Sequence, residues 1–152
     1  MALTGCKSLY IAPVTSEHTE EYLEAVWLLQ ATESPVKITT ISQRLNIAPP
    51  SAVQMLKKLE AKGYVKYKVR EGVILTRKGK KIGQQMVRNG RLIERLMADS
   101  LGIEADPKIA CGIEHHMTEE FADALCILLK HPKKCPHGQD IPGGKCCTKL
   151  NR

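Results

Sequence analysis

A mainly α-helical fold carrying one small β-hairpin is predicted by three features of the sequence. Aromatic residues make up only 4% of a chain that is 43% hydrophobic, so the core must be aliphatic, and the abundance of Leu, Ile, Met, Lys and Glu favours helix. Apolar residues recur at helical spacing at Tyr22, Ala25, Val26 and Leu29, and again at Val53, Leu56 and Leu59. Strand-like alternation is confined to 64–76, in two runs around Arg70-Glu71-Gly72.

Taken in order, Ser16 is placed to cap a first helix from Glu17, whose acids suit the positive end of the helix dipole; Glu21 and Glu24 lie beside its apolar stripe. Ser34-Pro35 breaks the chain. A second helix is expected from Thr39 or Thr40, with Gln43 completing a capping box, to Leu45-Asn46. Ala48-Pro49-Pro50-Ser51 is a turn, and Pro50 sets φ for a third helix that runs to Gly63. Two short helices joined by a tight turn read as a helix-turn-helix, and the basic hairpin that follows reads as a wing. Thr76 is a cap for a helix from Arg77, which Gly79, Gly83 and Gly90 weaken and Asn89-Gly90 is expected to kink. Leu92, Ile93, Leu96 and Met97 resume an apolar face up to Leu101-Gly102. Asp106-Pro107 opens a last long helix, about 108 to 129, with an exposed apolar side suited to a second copy of the chain. The expected division is a flexible leader 1–15, a winged helix 16–76, a helical domain 77–131, and a Cys/Gly/Pro-rich tail 132–152.

The formal charge is +7, and the excess is concentrated mid-chain: between Lys57 and Arg91 twelve Lys or Arg face only Glu60 and Glu71. Such a stripe suits a polyphosphate backbone, DNA or RNA, or else a solvated basic face. No apolar run is long enough to span a membrane and no signal peptide is evident, so the expectation is a cytoplasmic protein. Without a secretion signal, the six cysteines read as metal ligands or redox groups rather than as disulfides.

On a helix, the i, i+3, i+4 spacing of Cys111, Glu114 and His115 puts a thiolate, a carboxylate and an imidazole on one face. These donors suit Fe, Mn, Co, Ni or Zn, and Glu21 with Glu24 can complete the shell. Cys111 beside His115 also has the makings of a thiol nucleophile, but nothing supplies an oxyanion hole or a substrate pocket, so neither an enzyme nor a small organic substrate is expected. In the tail, Cys135, His137, Cys146 and Cys147 offer soft donors for Zn, Fe(II) or an iron–sulfur cluster. Cys126 lies in an apolar run and reads as a buried small hydrophobe, and Trp27 reads as core.

The segments Thr19-Glu20-Glu21-Tyr22-Leu23, Pro50 to Gly63, Leu75-Thr76-Arg77-Lys78-Gly79 and Cys111-Gly112-Ile113-Glu114-His115-His116-Met117 together resemble the diphtheria-toxin-repressor and manganese-transport-regulator family of metal-dependent transcriptional repressors, over roughly 19–142. The resemblance implies a homodimer on a palindromic double-stranded DNA operator of metal-homeostasis genes. It implies primary metal ligands Glu21, Cys111, Glu114 and His115, with Glu24 as the additional acid of manganese-type members, and Fe(II) first with Mn(II) second. It implies DNA contacts from Thr39, Pro49, Pro50, Ser51, Gln54, Lys57, Lys66, Lys68 and Arg70. Gly90 and Pro107 stand where iron-type members carry the two His of an ancillary site, which leaves only Glu94 and implies that this site is missing or rebuilt. The chain also stops before the small C-terminal barrel of longer relatives, the pattern of a two-domain member. The alternative is an iron–sulfur or thiol redox-sensing transcription factor built on the tail cysteines.

Overall fold

The computed structural model describes residues 15–148; Cys6 and nearly all of the expected leader lie outside them. The elements are α1 (Glu17–Leu29), α2 (Ile38–Leu45), α3 (Pro49–Ala61), β1 (Val65–Lys68), β2 (Gly72–Leu75), α4 (Arg77–Leu96), a π-helical turn (Met97–Leu101), α5 (Pro107–Glu114), α6 (Glu119–Leu128) and a short α7 (Lys145–Thr148).

Local chemistry accounts for most helix boundaries. Ser16 Oγ accepts from the Thr19 N–H, Thr76 from that of Gly79, and Thr118 from that of Phe121, each satisfying an otherwise orphaned donor. Asn46 ends α2 in the left-handed region, at φ 52°. The expected Thr40 capping box does not form. The second helix already begins at Ile38, so Thr40 is inside it and its hydroxyl donates to Glu33 Oε2 at 2.8 Å. β1 and β2 pair antiparallel, Val65 opposite Leu75, and Val36 adds a bridge to Val73.

Two apolar clusters form, the first met by Ile82 in the N-terminal half of α4 and the second by Leu92 and Ile93 in its C-terminal half. The first gathers Leu23, Val26, Ile41, Leu56, Leu59, Val65 and Val73 from α1 to β2. The second gathers Leu92, Ile93, Met97, Ala122, Leu125 and Cys126 from α4 to α6, with Cys135 and Ile141 beyond them. Fully burying each such aliphatic chain is worth about 1.5–3 kcal/mol, which is what holds the short, polar-faced helices in place.

Two further sequence expectations are corrected here, and the tail takes a definite fold. α4 is one uninterrupted helix of 20 residues, because its glycines serve close packing rather than breakage. A Cβ at Gly79 would meet the Tyr64 carbonyl oxygen at 2.1 Å, and one at Gly83 the Leu23 carbonyl oxygen at 2.5 Å. The expected last helix is two, since the chain turns at 115–118 and Thr118 caps a new start. Within the described residues the tail folds back on the helices: Lys134 bridges to Asp140, α7 packs on α6, and Arg91 holds the Gln139 side chain and the Asp140 carbonyl.

Candidate metal centre between helices α1 and α5

The break after Glu114 decides the geometry of the site. Asn89, fully buried in α4, donates through Nδ2 to the carbonyls of Glu114 at 3.0 Å and Met117 at 3.4 Å, and Gln85 anchors its Oδ1 at 2.7 Å. The C-terminus of α5 is thereby pinned against α4, with Glu114 and His115 turned toward α1. Gly90 makes room: a Cβ there would lie 2.3 Å from Glu114 Oε2. Gly90→Ala should therefore displace the Glu114 carboxyl and weaken divalent-metal affinity by about 10-fold or more, as read by metal titration, with little change in helix content.

Glu21 of α1, Cys111 of α5 and His115 bring one donor atom each within 4.8 Å of one another. Glu24, one turn along α1, lies in hydrogen-bonding reach of Glu114, so the two carboxyls compete for one proton. Burial first, and then the neighbouring Glu24, push the Glu114 carboxyl up to about 9; burial also raises that of Glu24. Desolvation and then the facing Glu114 push the Cys111 thiol up to about 11. Among the described residues, Glu114 Oε1 and His115 Nε2 are buried without a hydrogen-bond partner, 3.6 Å apart. Unsatisfied buried acceptors cost about 1–3 kcal/mol each unless something positive meets them. A divalent cation would do so, by pairing with both orphaned atoms and relieving the repulsion among the acids. The donor set fits such an ion.

Glu20 is the site residue that sequence reasoning missed. His115 Nδ1 donates to Glu20 Oε2 at 2.8 Å, and Thr15 donates to Glu20 Oε1 at 2.5 Å. This bond raises the His115 pKa and, in the neutral ring, fixes the proton on Nδ1 so that Nε2 presents its lone pair. Glu20 and His115 are 95 positions apart, and an acid on a helix already rich in acids carries no local signal.

The tail donors do not come together as expected. Cys135 and His137 join Glu94, their ligand atoms within 4.8 Å and His137 Nδ1 3.3 Å from Glu94 Oε2. Cys146 and Cys147 lie elsewhere, beside Cys126 and His131. The four-donor tail site, and the redox-sensing alternative built on it, are thereby divided, because the turn at 134–140 folds Cys135 and His137 back toward α4 while α7 packs on α6. Cys126 is buried, but among polar donors rather than in a purely apolar setting. Glu94 is not isolated either: a cavity of about 350 Å³, lined by Glu24, Cys111, Glu114, Glu94 and His137 among others, runs between the two clusters.

Thr39, Pro49, Pro50, Ser51, Gln54, Lys57, Lys66, Lys68 and Arg70 are all exposed, on α2, α3 and the hairpin. α5 and α6 expose Ile109, Ile113, Phe121, Ile127 and Leu128. No helix of the described residues is long and apolar enough to cross a membrane.

The chain matches two family descriptions: iron dependent repressor, N-terminal DNA binding domain, over residues 14–73, and iron dependent repressor, metal binding and dimerisation domain, over residues 76–143. Its fold is similar to that of the manganese regulator SloR, with 30% identity and a TM-score of 0.72, covering 83% of this chain and 60% of that one. It is similar to IdeR of T. acidophilum, with 28% identity and a TM-score of 0.67, covering 87% and 61%. A hypothetical protein from Sulfolobus solfataricus, SSo2273, is 32% identical with a TM-score of 0.61, covering 85% of this chain and 100% of that one. The chain thus spans about 60% of the length of the two regulators.

Proposed function

Because this chain belongs to the iron-dependent repressor family of DNA-binding, metal-responsive transcriptional regulators rather than enzymes, we propose that it is a metal-gated repressor that binds a palindromic operator of metal-homeostasis genes as a homodimer. The observation that carries this reading is the pair of orphaned buried atoms, Glu114 Oε1 and His115 Nε2, facing the acids of α1. Glu21, Glu24, Cys111, Glu114 and His115 would hold the ion, which supplies the positive charge that lets them share one cavity.

α1 packs on α2, so a constraint on α1 is passed to the helix-turn-helix it supports. Gating then follows from cross-linking α1 to α5: the two heads of the dimer are held at one separation, and the operator spacing selects that arrangement. Three carboxylates with one thiolate and one imidazole make a borderline set that suits Fe(II) first and Mn(II) second. Glu94, Cys135 and His137 form a second candidate position for a divalent ion, in the place of the ancillary site. The exposed apolar residues of α5 and α6 supply the surface for a second copy.

On DNA, α3 would enter the major groove, with Pro49, Pro50, Ser51 and Gln54 at base edges and Lys57 on phosphate. Lys66, Lys68 and Arg70 of the hairpin, and Thr39 of α2, would contact the backbone. Gln54→Ala should cost about 1–3 kcal/mol on the operator and little on unrelated DNA, whereas Lys66→Ala should weaken both alike and lower the salt slope by about one; fluorescence anisotropy at several salt concentrations separates the two. The decisive experiment is operator binding before and after chelation. Affinity lost on chelation and restored by Fe(II) or Mn(II) supports the reading, and affinity indifferent to both overturns it.

A further inference from the structure

At the edge of the second apolar cluster, donors from two separate stretches of chain converge: Cys126 in α6 with His131 just beyond it, and Cys146 and Cys147 in α7. Their ligand atoms all lie within 4.8 Å of one another. The sulfurs of Cys126 and Cys147 are 3.7 Å apart, as are those of Cys146 and Cys147, and His131 Nδ1 is 3.6 Å from both Cys126 and Cys147. Tetrahedral Zn(II), with Zn–S of about 2.3 Å and Zn–N of about 2.0–2.1 Å, demands S···S edges of about 3.8 Å and S···N edges of about 3.6 Å. The observed separations match those edges, and they are far beyond the roughly 2.05 Å of a disulfide bond.

The backbone and the surroundings are arranged around the same point. Lys130 and His131 both take left-handed φ values, 60° and 54°, a conformation disfavoured for residues with a side chain. Together with the Lys130 N–H on the Ile127 carbonyl at 2.9 Å it forms an ordinary helix ending, in which the His131 N–H closes on the Cys126 carbonyl at 2.8 Å and His131 stays beside Cys126. Arg88, 2% exposed, donates to Cys146 Sγ at 3.2 Å as well as to Asp123 Oδ1 at 2.8 Å. Gly144 allows this approach, since a Cβ there would lie 2.4 Å from the guanidinium. Three thiolates, one neutral imidazole and a dication sum to a single negative charge, and that charge lies against the Arg88 guanidinium, which Asp123 shares.

We propose that Cys126, His131, Cys146 and Cys147 form a tetrahedral Zn(II) site, separate from the centre between α1 and α5, that fastens the α7 segment to α6. Zinc binding takes the three sulfurs as thiolates, with the remaining thiol protons released to solvent, and changes no oxidation state. The role is structural, because four protein donors close the shell and leave no open position for chemistry.

The test uses the full chain carrying Cys111→Ala and Glu94→Ala, which removes a ligand from each of the other two clusters, titrated with Co(II) under reducing conditions. The expected result is one Co(II) per chain with the intense visible bands of a tetrahedral thiolate complex, displaced by one equivalent of Zn(II). Cys147→Ser and His131→Gln, on different segments, should each abolish the bands while circular dichroism stays helical, and Cys135→Ser should retain them. Absence of thiolate bands, or bands that persist in both Cys147→Ser and His131→Gln, overturns the proposal. The readout is independent of DNA binding, so failure here is distinct from failure of the metal-gated repressor reading.

Discussion

Replacing Glu114 by Gln is expected to lower the affinity for Fe(II) or Mn(II) by at least about 100-fold, the upper end of what losing a mere supporting partner costs, and with it to abolish metal-dependent operator binding. The same substitution should make the metal-free protein more stable. Glu114 is 3% exposed and its carboxyl is raised to about 9, chiefly by burial and then by Glu24. The native state therefore holds a proton that the unfolded chain releases at its ordinary carboxyl pKa. That contribution to stability is fully present below about pH 4.5, declines as pH rises, and is lost once pH passes about 9. Glu24 and His115 are also raised and push in the same direction, His115 from its higher starting value of 6.5.

Metal-free wild type should accordingly melt at progressively lower temperature from about pH 5 to about pH 9, and a bound divalent ion should flatten or reverse that trend, because its ligands must be deprotonated. Glu114→Gln should flatten the metal-free trend and remove the response to metal. Calorimetric melts across this range, with and without Mn(II), check both. A variant that lost stability in both states would make Glu114 an ordinary packing residue.

Gly83→Val is expected to cost about 3 kcal/mol, the upper part of the range for overpacking, and to lower the melting temperature by roughly 6–12 °C. The reason is specific. A Cβ at this position would sit 2.5 Å from the Leu23 carbonyl oxygen and 2.9 Å from Trp27 Cβ, and neither can yield without moving α1. Helix propensity alone predicts the opposite sign, since glycine is about 0.8–1 kcal/mol worse than alanine inside a helix. Gly112→Ala provides the contrast: no atom lies within 4 Å of its would-be Cβ, so it should stabilise by up to about 1 kcal/mol. Because α1 carries Glu20, Glu21 and Glu24, Gly83→Val should also weaken metal binding without touching a ligand, as a titration of the still-folded fraction would register.

The glycines of α4 illustrate what can be read along a chain and what cannot. Gly79, Gly83 and Gly90 count equally against a helix by propensity, and they led to the expectation of a weakened, kinked α4. In the fold each is the point where another element approaches: the Tyr64 carbonyl, the Leu23 carbonyl and the Glu114 carboxyl respectively. Similarly, the apolar run from Ile109 to Leu128 reads as one helix, because periodicity continues through the turn that Thr118 restarts.

The sequence by itself determined what depends on a few neighbouring residues. Capping oxygens at Ser16 and Thr76, the left-handed Asn46, the alternation of the hairpin, and the grouping of Cys111, Glu114 and His115 within one turn of chain all follow from local dihedral preference and hydrogen-bonding chemistry. Only the tertiary structure decided which distant groups meet. It set Glu20 against His115, Glu24 against Glu114 and Cys135 beside Glu94, and it drew Cys126 and His131 to Cys146 and Cys147. No short-range signal encodes such meetings, because they come from burying two apolar clusters that share one long helix, and the donors travel with the elements that packing brings together.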